Sequence, residues 1–80
     1  MDELKETIIK FQKDRNWKQF HTPENLAKSI SIEAGELLEH FQWDNTYKLE
    51  EVADELADVF NYCILMADSL NLDIKEITLN

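Results

Sequence analysis

One glycine and one proline in 80 residues constrain this chain more than any other feature. Tight turns draw on glycine for left-handed backbone and on proline for a preset φ. Long helices are therefore expected and a many-stranded sheet is not. Apolar spacing agrees. Leu4, Ile8 and Phe11, with Ile9 alongside, predict a first helix from Asp2 to about Arg15. Asn16 to His21 reads as a loop carrying two aromatics, Trp17 and Phe20. Thr22 then suits an N-cap, with Pro23 at the first helical position and Glu24 beside the positive helix end. The second helix is predicted to reach about Phe41. Gly35 inside it lowers helix stability by ~1 kcal/mol relative to alanine, which points to close approach of another element or a ligand.

Gln42 to Thr46 forms the next break, and a third helix is predicted from about Tyr47 to Leu70. Its Leu49, Val52, Leu56, Val59, Cys63, Met66 and Leu70 alternate by three and four residues, the seam of a packed bundle helix. Asn71 suits a left-handed cap, and Asp73 caps a short last helix through Leu79. The expected architecture is all-α: one domain over residues 1–80, a small antiparallel bundle of about four helices. A core this size is modest. Cys63 is the lone cysteine, so no internal disulfide forms, and no zinc-ligand spacing appears. Oligomerisation, as a homodimer or homotetramer, is expected to complete the fold.

The N-terminus lacks a basic segment followed by an apolar run, and no apolar stretch has membrane-spanning length. A cytoplasmic protein without a membrane partner is expected. Seventeen acidic side chains face eight basic ones, a net charge of −9. That excludes a nucleic-acid duplex as partner, because backbone phosphates need a basic face. A polyphosphate remains compatible where divalent cations lie between it and the protein.

The acids fall into pairs. Glu33 and Glu36 are three apart on the second helix, Glu55 and Asp58 three apart on the third, so each pair projects from one side of its helix. Glu51 and Tyr62 extend the second stripe by a turn each way. Leu26, Ile30 and Leu37 mark the inward stripe of the second helix, and Glu33 projects within roughly 20° of its centre. A carboxylate aimed at a core is unfavourable unless paired or metal-bound. Between Arg15 and Tyr62 the only cations are Lys18, Lys28 and Lys48. Paired acids often form a solvated face, but two pairs on neighbouring helices, one entering the core stripe, favour a metal. Carboxylate oxygens without His or Cys select Mg2+, with Mn2+ as the alternative.

At these residues the sequence resembles the MazG-like all-alpha nucleoside triphosphate pyrophosphohydrolases. That family carries Glu-x-x-Glu and then Glu-x-x-Asp, here Glu33-Ala34-Gly35-Glu36 and Glu55-Leu56-Ala57-Asp58. The flanks match too: Ile32 to Glu39, Phe41-Gln42-Trp43, and Glu55 to Val59. The stretch Arg15 to His21, followed by Asn25-Leu26, is similar to the dCTP pyrophosphatase branch. The resemblance implies hydrolysis of a nucleoside triphosphate substrate to monophosphate and pyrophosphate, in house-cleaning of nucleotide pools. It implies Glu33, Glu36, Glu55 and Asp58 as magnesium ligands, with Glu36 or Glu33 orienting the attacking water. It also implies a basic, tyrosine-containing tail after the last helix, whereas these residues stop at Asn80.

Trp17, Phe20, Trp43 and Tyr62 are candidates for stacking on the base, and His21 and Asn25 for bonding its edge. Trp17 and Phe20 equally suit loop packing. Glu39 projects away from Glu33, Lys28 suits a solvated surface, and His40 has no second His or Cys spaced to join it. Cys63 suits an inert core position. Asn61 is expected to face away from the carboxylates, towards a subunit contact. Alternatives are a related enzyme acting on dUTP or a phosphoribosyl nucleotide, and a non-catalytic metal- or nucleotide-binding oligomerisation module.

Overall fold

The computed structural model describes residues 2–43 and 46–80. Four α-helices follow in order: α1 (Asp2–Asp14), α2 (Pro23–Gln42), α3 (Leu49–Ser69) and α4 (Ile74–Leu79), with one 3-10 turn at Lys18–Phe20 between α1 and α2. The all-α four-helix expectation holds. Of the break predicted at Gln42 to Thr46, Asp44 and Asn45 lie outside the described residues.

The helix ends follow from local chemistry. Thr22 caps α2, its side chain accepting from the Asn25 amide at 3.2 Å, with Pro23 just inside the helix. Asp73 caps α4 by accepting from the Glu76 amide at 3.1 Å. Two asparagines end helices in the left-handed region, Asn16 at φ 57° and Asn71 at φ 55°. After each, the chain folds back identically. Asn16 N donates to Lys13 O and Trp17 N to Gln12 O; Asn71 N donates to Asp68 O and Leu72 N to Ala67 O. This double bond satisfies carbonyls that the helix end would leave open. Asn71 is as expected. Asn16, read as loop, uses the same device, which is why α1 stops at Asp14.

Cross-helix contacts set the register of the α2–α3 hairpin. His40 meets Glu51, Glu33 meets Glu55, and His21, just before α2, meets Tyr62. The pairing numbers fall on one helix as they rise on the other, so the two run antiparallel. α1 packs on α3.

The apolar core sits at one end of this hairpin. Leu26 is 0% exposed and Ile64 1%, with Leu65 and Ala67 also buried. The predicted seam of α3 is not that core. Leu49 and Leu56 are 71% and 58% exposed, and Val52, Val59, Cys63 and Met66 are only half-buried. Glu55 occupies the side of α3 that meets α2, which turns the seam partly outward. The surface area, 6200 Å², exceeds the roughly 5,000 Å² of a compact monomer of this mass. Gly35 also departs from expectation. A Cβ built there meets nothing within 4 Å, so no close approach within the described residues accounts for it.

Candidate active site

α2 and α3 bring three of the four predicted acids together. Carboxylate oxygens of Glu33, Glu55 and Asp58 all lie within 4.8 Å of one another. Glu36 stands beside Glu33, near enough to raise the pKa of that carboxyl. Although the Glu33 side chain as a whole is half-buried, its Oε2 is sealed from solvent, as is Oε2 of Glu55, and neither has a hydrogen-bond partner among the described residues. Burial pushes the Glu33 carboxyl up to about 7. Hydrogen bonds with Glu55 and Glu36 and the charges of Glu36 and Asp58 act in the same direction. Acids that repel one another and leave buried lone pairs unpartnered make this a candidate cation site, and an all-oxygen donor set is of the kind that suits magnesium or manganese. Glu51 is not drawn in: it turns to His40 at 3.9 Å and Lys48 at 4.0 Å.

Next to the acids lies a cavity of about 410 Å³. Its walls include Asp58, Asn61, Tyr62 and Leu65 of α3, Trp17 and His21 from the α1–α2 connection, and Phe11 and Gln12 of α1. The aromatic rings meet edge to face: Phe11 with Trp17 at 5.5 Å, Trp17 with His21 at 6.2 Å, and His21 with Tyr62 at 6.4 Å. The Arg15 guanidinium lies 3.4 Å over the Phe11 ring, backing that wall with a cation–π contact. His21 Nδ1 is 2.6 Å from Gln12 Oε1, and burial lowers the His21 pKa.

Trp17, His21 and Tyr62 thus share one cavity. Asn25 does not line it; its side-chain amide donates to Phe20 O at 3.1 Å and ties the connection down. Trp43 sits at the far end of α2, 84% exposed, beside a separate hollow of about 300 Å³ with Glu39, His40, Thr46, Tyr47, Lys48 and Glu51. Asn61 corrects the sequence reading. It lines the cavity, because residues 58, 61, 62 and 65 form one face of α3 that turns towards α1. Phe11 and Gln12 were missed as site residues. The available signal was Gln12, a polar residue four positions after Ile8 on an apolar stripe.

Comparison with known proteins agrees with this geometry. Residues 28–80 match the MazG-like family. The dCTP pyrophosphatase 1 proteins of rat and mouse are each 30% identical over 95% of this chain, and the human protein is 29% identical over 92%. The chain spans about half the length of these curated relatives: 51%, 51% and 49%. A pyrophosphatase of known structure from Archaeoglobus fulgidus superposes with a TM-score of 0.85 at 38% identity, covering 99% of this chain and 82% of that one. By its acid pairs, its helical order and these matches, the chain belongs to the MazG-like family.

Proposed function

We propose that this chain hydrolyses a nucleoside triphosphate between the α and β phosphorus atoms, releasing monophosphate and pyrophosphate. The observation that carries this reading is Asp58, which belongs both to the acidic cluster and to the wall of the aromatic cavity. A molecule with a flat ring at one end and a polyphosphate at the other spans those two sites. Glu33, Glu36, Glu55 and Asp58 hold the cation. Magnesium, when bound there, neutralises phosphate charge and polarises the attacked phosphorus.

The residues of the chain divide the remaining work. Trp17 and Tyr62 enclose the base, and His21 meets its edge. Glu36 orients a water and accepts its proton as the oxygen attacks in line; the bond to the bridging oxygen breaks and pyrophosphate leaves. The dCTP pyrophosphatase 1 relatives support dCTP as substrate; modified pyrimidine nucleotides and a cytoplasmic house-cleaning role are proposed with it. The exposed apolar residues of α3 support assembly as a homodimer or homotetramer, in which the exposed Trp43 would be covered by a second chain.

The test is pyrophosphate release from a panel of NTPs and dNTPs, with magnesium or EDTA, for wild type and Glu36→Gln. Magnesium-dependent release with matching monophosphate, lost in the variant, is expected. A folded, magnesium-loaded protein that cleaves none of the panel overturns the enzyme and leaves the oligomerisation module.

A further inference from the structure

Gln12 is the one buried polar residue among the described residues, 2% exposed on a helix whose other polar side chains are exposed, apart from the half-buried Lys5. Burying an amide is unfavourable without a partner. Its partner is the ring of His21, Oε1 to Nδ1 at 2.6 Å. An amide oxygen only accepts, so the hydrogen of this bond belongs to Nδ1. The pKa of His21 is lowered by burial, which keeps the ring neutral, and a neutral ring carries one hydrogen. Nε2 is then a bare acceptor, and it has no hydrogen-bond partner among the described residues. Both residues line the cavity.

We infer that Gln12 is a positioning residue that fixes His21 in the Nδ1–H tautomer, so that Nε2 accepts from the exocyclic amino group of a bound cytosine or adenine. A keto oxygen at the same place on uracil, thymine or guanine sets lone pair against lone pair. Tautomer choice by the partner of the other nitrogen is general for histidine. The main chain supports the arrangement, since Gln12 O also accepts from Trp17 N at 3.1 Å and ties α1 to the connection that carries His21. The identity of the ligand rests on the proposed function; the Gln12–His21 bond does not.

Long-range proton–nitrogen spectra of the 15N-labelled protein at pH 8 read the tautomer without any turnover. The chain has two histidines, so His40→Gln assigns them. The expected spectrum shows Nδ1 protonated and Nε2 bare in wild type, inverted in Gln12→Met and restored in Gln12→Glu, which keeps an acceptor. With magnesium present, dCMP is expected to shift the Nε2 signal and to bind at least about tenfold tighter than dUMP, as loss of a buried hydrogen bond implies. Gln12→Met erases that preference. A wild-type ring protonated at Nε2, or a tautomer unchanged in Gln12→Met, overturns the inference. If Gln12→Met does not fold, the wild-type tautomer and Gln12→Glu decide. An intact tautomer with no response to either nucleotide upholds the Gln12–His21 bond but overturns Nε2 as the acceptor for the base, while cleavage of the triphosphate panel decides the proposed function separately.

Discussion

On the inner side of the α2–α3 hairpin, Oε2 of Glu33 and of Glu55 are shut away from water without partners, while Leu49 and Leu56 of α3 and Ile32 and Leu38 of α2 stand in solvent. A hairpin shaped by stability alone would carry the opposite arrangement, with leucines inside and glutamates outside. The inner side has the arrangement that the proposed cation would complete by supplying positive charge. The exposed leucines of the outer side are what the proposed assembly would cover. Only the end of the hairpin holding Leu26 and Ile64 is finished within one chain.

The largest effect expected from this contrast is at that finished end. Leu26→Ala should lower stability by about 2–5 kcal/mol, since the surrounding packing cannot fully collapse. Leu56→Ala should change it by no more than about 0.5 kcal/mol in dilute protein, as an exposed substitution does. Urea unfolding of both variants checks the pair. Equal losses would mean that Leu56 is covered even in dilute solution, and the contrast between the two sides would fail.

Glu33→Gln separates ligand chemistry from stability. Hydrolysis should fall at least about 100-fold, because a metal ligand contributes several kcal/mol to transition-state stabilisation. The melting temperature without metal should rise, since the glutamine amide donates into the acidic cluster and removes one repelling charge. Activity and melting curves of the same preparation measure both. A variant less stable than wild type in EDTA would show that the cluster is structural.

The two sides were unequally legible in sequence. Caps at Thr22, Asp73 and Asn71 could be read because each depends on neighbours a few residues away. The acid pairs could be read because three-residue spacing fixes a helix face. Asn61 was misjudged, and Gln12 went unread, because their roles depend on how α1 crosses α3, which no local spacing encodes. The α3 seam misled for a related reason. Its three-and-four alternation is genuine, but periodicity marks which residues share a face, not which neighbour covers it.

The acidic interior should also respond to pH. Glu33 titrates at about 7 in the folded chain against an ordinary 4.5, so the folded state holds a proton that the unfolded state has released. The stability contributed by that proton is complete below about pH 4.5 and is lost as pH rises through 7. Asp73 acts in the opposite sense at the acid end, because the Glu76 amide bond lowers its pKa and its contribution disappears as pH falls. Metal-free protein should therefore melt at progressively lower temperature between pH 5 and 7.5. Glu33→Gln should flatten that slope, and a slope that persists in the variant would assign the titration elsewhere.

The smallest effect sharpens the contrast most finely. Gly35 lies between the two site glutamates of α2, and nothing within 4 Å would meet a Cβ added there. Alanine relieves the excess backbone entropy that glycine loses on entering a helix, so Gly35→Ala should stabilise the isolated chain by about 0.5–1 kcal/mol. Because the new methyl points into open space, that gain should be independent of protein concentration. A gain at low concentration that turns into a loss at high concentration would place a second chain against Gly35, and the outer side of the hairpin would then extend from the exposed leucines to within one residue of Glu36.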